Sequence, residues 1–461
     1  MVWLEDMPVA SFIRSSFGLF VRDLVHGLLT APSWQTFSLL TCGWVLASER
    51  HTITTYLWLT GATTVKHFSR FDVFLGGALY PARWQLWARI IRRAAQWVPP
   101  EDPIVIEGDD STKKKAGRRI EGVAGYRHGA GSARQEYRTL RGVNFVWGIM
   151  RVPLPQWPTH RVSVPSGLSR SLKEAHARKL QLPYRSRSAL AREIVDFVAA
   201  QLPGRRMRGL ADGGYATKEY LRGLPASVQV VSRMLVTGQL YGLPTLPAAP
   251  RRGWPPKKGP LLGSPKTFAR TRHGWQPHPT EAGAQGQAGE GLWHAVLPGR
   301  VIRVVVRRPQ RQRPHHAGQR QPLPPVEAFF STDLSLSLEA ILAQYRDRWA
   351  VEISIRDNSA FAGLGQDQCR KVERLVGANT LRLVLAAART LWFLERPHQA
   401  AGVDLGRYRP WYRQKEAPSQ LDIGWTCREA LAEAGVFPIP RFAPDLAENP
   451  QEPENILPLA A

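Results

Sequence analysis

At residues 103–112, Pro-Ile-Val-Ile-Glu-Gly-Asp-Asp-Ser-Thr, the hydrophobic period of the chain changes from that of a helix to that of a strand. Ile104, Val105 and Ile106 form a short apolar run stopped by Gly108, the pattern of a strand buried in a sheet. Asp109 and Asp110 follow at once. A carboxylate at a strand end projects into the open space beside a sheet. The same Asp-Ser sequence also closes ordinary turns by bonding backbone N–H groups. Taken alone, the segment supports either reading.

Upstream, residues 1–98 read as helical. Trp44, Leu46, Tyr56, Leu57 and Leu59, then Trp84, Leu86, Trp87, Ile90 and Ile91, recur at helical spacing, and Pro99-Pro100 ends the block. Downstream, Val143 to Val152 is a second strand, and Leu190, Ile194, Phe197, Val198 and Gln201 mark a helix. Met207 to Ala211 is a short strand running into Asp212-Gly213-Gly214, and Val228 to Val231 is another. Strands alternating with helices predict an α/β core over 99–234. Residues 235–325 are rich in proline and basic residues. Arg251 to Gly259 excludes regular helix and central strand, and Val301 to Val306 is the one clear strand. From 326 to 400 the α/β pattern resumes. Val326 to Phe330 is a strand, Ser335 or Ser337 caps a long helix through Ile341, Leu342, Tyr345 and Trp349, and Leu381 to Leu394 is a further helix. Residues 401–461 form a C-terminal tail without a readable motif.

Lys and Arg number 62 against 37 Asp and Glu, a net charge of +25. An excess of that size repels itself unless a polyanion shares the field, so nucleic acid is the expected partner. Cys42, Cys369 and Cys427 form no CxxC pair, which leaves no disulfide framework or cysteine-rich zinc site and fits a reducing cytoplasm. The longest apolar run, Phe37 to Ala47, is well short of the ~20 residues of a membrane span. Acidic Glu5 and Asp6 argue against a secretory leader. The expectation is a cytoplasmic, nucleoid-associated protein with no membrane partner.

Asp212 repeats the arrangement of Asp109, and Gly213 and Gly214 let the backbone turn sharply while the carboxylate stays accessible. Tyr345, Arg348 and Glu352 are three and four residues apart and fall on one helical stripe, with Arg356 and Ser359 beyond them. An Arg-Glu pair at that spacing is also an ordinary surface pair, but Val351, Ile353 and Ile355 argue against a purely solvated face. Three such acids have a chemical logic. A hard divalent cation takes oxygen ligands and keeps several waters, and a pair of ions ~4 Å apart serves both sides of a phosphorus under in-line attack.

The ordered set resembles the insertion-sequence DDE transposases of bacteria. It comprises strand-Asp109-Asp110-Ser111, strand-Asp212-Gly213-Gly214-Tyr215, a basic insertion, and Tyr345-x2-Arg348-Trp349-x2-Glu352. The resemblance spans roughly residues 45–400 and includes Arg50-His51-Thr52 and Phe68 to Phe71. It implies an RNase H-like, retroviral-integrase core, 99–234 and 326–400, split by a basic β-rich insertion at 235–325. A helical DNA-binding domain would occupy 1–98. It implies Asp109, Asp212 and Glu352 as catalytic metal ligands, with Asp110 as the fallback for the first. The cofactor would be two Mg2+ ions, with Mn2+ able to substitute. Tyr345 and Arg348 would contact DNA phosphate, and Lys113, Lys114, Lys257, Lys258 and Arg356 are the further cations assigned to DNA. The implied partners are the element's terminal inverted repeats, target DNA, and a second or further copies of the chain. One departure stands out. The family's helical pattern is Tyr-x2-Arg-x3-Glu-x6-Lys, and Ser359 occupies the Lys position here. Arg356, about one turn earlier, is the candidate replacement. Two other readings share the same residues: a nuclease that cuts without joining, and a decayed DNA-binding protein on the same fold.

Overall fold

In the computed structural model, Ile104–Lys114 forms a single eleven-residue strand, β1. The structure describes residues 8–127, 138–244, 256–271, 273–277, 284–308, 326–396, 403–405, 411 and 414–437. The sequence reading stopped this strand at Gly108. It continues because Thr139–Leu154 (β3, after the short β2 at Ala124–Arg127) pairs antiparallel with it throughout, from Asp109 opposite Trp147 to Lys114 opposite Gly142. Backbone pairing outlasts the hydrophobic run, which is why the period misses the second half. Trp157–Ser171 (β4) pairs on the far side of β3. Its Pro158 and Pro165 read against a strand, but β4 pairs only with β3, and Pro165 sits at a register shift, where a missing N–H is tolerated.

Met207–Ala211 (β5) and Val228–Arg233 (β6) continue the sheet in parallel with β1. Of the five strands β4-β3-β1-β5-β6 only β3 runs against the other four, and together they form an RNase H-like unit. Later strands extend the sheet antiparallel: Leu240–Tyr241 (β7), Leu261–Gly263 (β8), Gln276–Pro277 (β9), Gln285–Leu292 (β10), Val301–Arg308 (β11) and Glu327–Ser331 (β12). The order onward from β6 is β12-β11-β10-β7-β8, with β9 beside β10. The region expected to interrupt the core therefore lengthens the same sheet among the described residues. Arg251 to Pro255 lie outside the described residues.

The helical N-terminal region is Pro8–Arg14 (α1), Ser16–Val25 (α2), Ala31–Leu46 (α3), Ile53–Leu59 (α4), Phe68–Phe74 (α5) and Tyr80–Ala95 (α6), with a π turn at Leu75–Leu79. Glu174–Lys179 (α7) and Arg187–Gln201 (α8) follow, α8 covering the face of the sheet on which Gly148 meets Ile194. After Lys218–Leu221 (α9) and Pro265–Phe268 (α10), Leu338–Asp347 (α11) covers the other face. Its Leu338, Ile341 and Leu342 pack on Leu210, Val231, Val305 and Phe329. Trp349–Phe361 (α12), Val372–Leu394 (α13) and Gln420–Glu433 (α14) complete the described helices.

Helix α13 is buried from Leu375 to Leu394, and most of the side chains it buries are apolar. The N-terminal helices close over it. Phe17 meets Trp392 edge-on at 5.9 Å, Arg93 pairs with Glu395 at 2.5 Å, and Arg374 pairs with Asp72. At Gly377 a Cβ would lie 2.0 Å from the carbonyl oxygen of Leu75, so only glycine permits this approach. Gly377→Ala is expected to cost about 1–3 kcal/mol by overpacking and to lower the midpoint of denaturant unfolding. An unchanged midpoint would mean that the N-terminal helices do not seat on α13 this way.

Candidate active site

Gly108 stands opposite Ala211 at the last parallel pair of β1 and β5. The next residue of each strand is an aspartate, Asp109 and Asp212. Side chains alternate across a sheet, so Glu107, Asp109, Ser111 and Lys113 share one face and Asp110 and Thr112 the other. Asp109 and Asp212 thus meet at the carboxyl edge of the parallel strands, on the face covered by α11 and α12. Asp212 also caps the short 3-10 turn Gly213–Tyr215, its carboxylate accepting from Gly214 N–H at 3.4 Å.

The expected single long helix is two. Ser337, rather than Ser335, caps α11 by accepting from Ala340 N–H at 3.2 Å. Arg348 then forms the joint between α11 and α12. Packing and polar pins hold this joint over the strand ends. Arg208 on β5 donates to Gln344 at 2.8 Å and to Asp333 at 2.7 Å, and the Tyr345 ring lies 4.7 Å from that of Phe329. The Tyr345 hydroxyl donates to Asp212 Oδ1 at 3.2 Å. Arg348 donates to Glu352 Oε1 at 2.8 Å and lies 4.0 Å from Asp109 Oδ2. Tyr345 thus holds Asp212, and Arg348 links Glu352 with Asp109. The Arg348–Glu352 contact is also the ordinary i, i+4 pair that the spacing permits.

Asp110 belongs to the other face. It accepts from Arg187 at 2.9 Å, Asn144 Nδ2 at 2.8 Å and the Tyr215 hydroxyl at 3.1 Å. A carboxylate so fully engaged has little capacity left for a cation, which separates it from Asp109. Asp109 has one close donor, the N–H of Asp110 at 2.7 Å. Burial pushes its carboxyl up to about 7, the charges of Asp110 and Asp212 add to the rise, and that N–H and Arg348 oppose it.

Sequence reasoning passed over Glu107. It is wholly buried on the Asp109 face, 3.6 Å from Arg151, and burial raises it to about 7 against the pull of Arg151 and the N–H of Val351 at the start of α12. The available signal was a lone acid inside an apolar strand, two residues from Asp109.

The cations assigned to DNA separate. Lys113 reaches across from β1 and donates to Ser359 Oγ at 2.6 Å, its ammonium lowered to about 8 by burial. An ammonium thus stands seven residues beyond Glu352 after all, supplied by the sheet. Arg356, the expected replacement, is exposed and bonds Asp357 at 3.0 Å. Lys114 is exposed on the Asp110 face. Lys257 and Lys258 are exposed beside β7 and β8, Lys258 lying 4.1 Å over the Tyr241 ring. Five inter-strand steps separate β7 from β5, roughly 24 Å, so these lysines are remote from the acids.

A cleft of about 590 Å3 opens at the strand ends, lined by Asp109, Asp110 and Asp212 and by Tyr126, Lys173 and Arg187. Among the described residues no three His, Cys, Asp or Glu side chains form a ready cluster for a cation. The oxygen donors have the right chemistry for a hard divalent ion, but Arg348 stands against Glu352 and near Asp109.

The model of the family described as DDE superfamily endonuclease matches residues 28–295, more than half of the chain. The chain belongs to this family. No curated protein matches it. As a DDE superfamily endonuclease, it acts on DNA and belongs to a group whose members generally use divalent metal ions. The match covers β1 to β6 with both aspartates and ends before Glu352. No helix among the described residues is long and apolar enough to cross a membrane.

The raised carboxyls make a signed prediction for the cation-free endonuclease. In the folded chain Asp109 titrates at about 7, whereas unfolded it titrates near 4, so the unfolded state binds fewer protons in between. This group's contribution to stability therefore falls as pH rises from about 4 to about 7 and is constant above that. In EDTA, the Tm of Asp109→Asn should gain on wild type over that range and stay ahead at about pH 8. A gap that is flat, or that closes with rising pH, would contradict the burial of this carboxyl.

Proposed function

We propose that this endonuclease is a transposase that cuts DNA at the ends of its own element and joins the freed ends to target DNA. The observation carrying this reading is the convergence of Asp109, Asp212, Tyr345, Arg348 and Glu352 at one edge of the sheet. Asp109, Asp212 and Glu352 would hold two Mg2+ ions, with Mn2+ able to replace them. These ions supply charge for in-line displacement at phosphorus.

The chain's own residues do the positioning. DNA phosphate competes with the carboxylates for the Arg348 guanidinium, which suits planar bidentate contact with phosphate oxygens. When Arg348 turns to phosphate, Glu352 is released toward Asp109. Tyr345 orients Asp212 through its hydroxyl. Lys173 and Arg187 on the cleft wall attract the backbone of the strand being cut, and Lys113, held at Ser359, and the exposed Lys114 add charge from β1. Lys257, Lys258 and Arg356 hold DNA farther from the chemistry. Water attack on the phosphodiester at the element end breaks its P–O3′ bond and frees a 3′-hydroxyl, which then attacks a target phosphorus in line and displaces the target strand's 3′-oxygen, without a covalent protein intermediate. Two ends must be held together, so at least two copies of the chain act on DNA.

Nicking of DNA carrying the element end tests the assignment. Glu352→Gln should lower Mg2+-dependent nicking by roughly 100-fold or more, and equal cutting by both proteins would refute it. Strand transfer from pre-cleaved ends separates a transposase from a nuclease that only cuts. Binding without any cutting would point to a DNA-binding protein on this fold.

The position of Lys113 gives a second test. Lys113→Ala should reduce the slope of log affinity for end DNA against log salt by about 0.9 and weaken binding more than Arg356→Ala does. The reverse order would return the role to Arg356.

A further inference from the structure

A second polar site lies where the end of α3 and the end of α12 meet α13 and α14. A cavity of about 110 Å3 there is lined by Arg389 and Arg428, with Ser48 at its rim and Trp44, Trp425 and Cys427 among its walls. Among the described residues no acid lines it. None of its lining residues lines the cleft at Asp109.

Arg389 is the unusual member. It is 9% exposed, yet among the described residues it donates no hydrogen bond, and its Nε is buried without a partner. Its one close contact of note is the Trp44 ring, 5.3 Å away. An aromatic face replaces only part of the hydration a guanidinium loses on burial. Arg428 enters from α14, gives one N–H to Val45 O at 2.7 Å and leaves its Nε unpartnered. The two cations repel, and each is lowered first by burial.

The backbone is shaped to leave them room. A Cβ at Gly424 would lie 3.0 Å from Arg389 Nη1 and 3.3 Å from its Cζ, so the glycine forms the floor of a guanidinium cradle. One buried and one half-buried cation with donors to spare, no acid among the described lining residues, and a void with room for roughly three or four waters match one class of ligand.

We infer that this pocket binds a phosphate group between Arg389 and Arg428. Forked guanidinium donors suit tetrahedral oxyanions, and the bound charge would relieve both the repulsion and the lost hydration. The group is either free inorganic phosphate or the terminal phosphate of a DNA strand, since so small a void admits only an end. The inference stands on this pocket alone and does not depend on transposition.

Thermal unfolding of the full chain, in phosphate-free buffer and with inorganic phosphate at matched ionic strength, tests it. Phosphate should raise the wild-type Tm by about 2 °C or more. The rise should vanish in Arg389→Met and in Arg428→Gln. Without phosphate, Arg389→Met should melt no lower than wild type, because it removes an unpaired buried charge. Arg428→Gln, at a half-buried position, keeps the test open should the Arg389 variant fold poorly. An equal rise in all three proteins would mean adventitious binding to the basic surface, and no rise in wild type would exclude the site; either result overturns the inference. A matched pair of short oligonucleotides, with and without a 5′-phosphate, identifies the source. Arg428-dependent stabilisation by the phosphorylated one alone points to a DNA end, and stabilisation by inorganic phosphate alone points to the free ion.

Discussion

The structure depends on the parallel register of β1 and β5. Pairing Gly108 with Ala211 sets the following aspartates side by side, on one face, where the parallel ladder ends. A slip of one residue would move Asp109 to the face of Asp110, against α8 and away from Asp212. Register in a buried sheet is held by the whole apolar set. Ile104, Ile106, Met207 and Leu210 are all buried, and a slip would expose them or bury their polar neighbours. The chemistry of the site thus rests on the same hydrophobic pairing that closes the core.

Bringing carboxylates together in a partly desolvated place is unfavourable, and the charge arrangement around them follows from that cost. Asp109 responds by holding its proton to about 7. Arg348 responds by standing against Glu352 and near Asp109. The joint between α11 and α12 permits this, because it carries Arg348 where two helices meet over the strand ends. Asp110 follows the opposite course. Enclosed by Arg187, Asn144 and Tyr215, it anchors α8 and the turn after β5 to β1. Two adjacent aspartates so perform different tasks solely because a strand turns successive side chains to opposite faces.

Helix α13 plays a corresponding part where the N-terminal helices meet the sheet. It joins the N-terminal helices to the sheet through a surface that is buried and mostly apolar, and Gly377 sets how closely they approach. Burying Arg382 and Arg389 in the same helix is costly. Arg382 meets that cost with the carbonyls of Ala378 and His51, whereas Arg389 faces a cavity. That contrast between two arginines of one helix distinguishes a structural cation from one with donors unused.

The sequence by itself determined the alternation of strands and helices, the order of the acids and the basic character. All three follow from local quantities: hydrophobic period, residue spacing and net charge. Met207 to Ala211 was readable to the residue because Asp212-Gly213-Gly214 ends it sharply. Only tertiary structure decided which aspartate faces Glu352, since Asp109 and Asp110 differ in partners a hundred or more residues away in some cases. Only tertiary structure continued β1 to Lys114, because that half is held by β3 and carries no hydrophobic signature of its own. It also moved a cation from the helix to the sheet, where Lys113 reaches Ser359. Spacing along one element constrains only that element, and a side chain arriving from another strand leaves no trace in it.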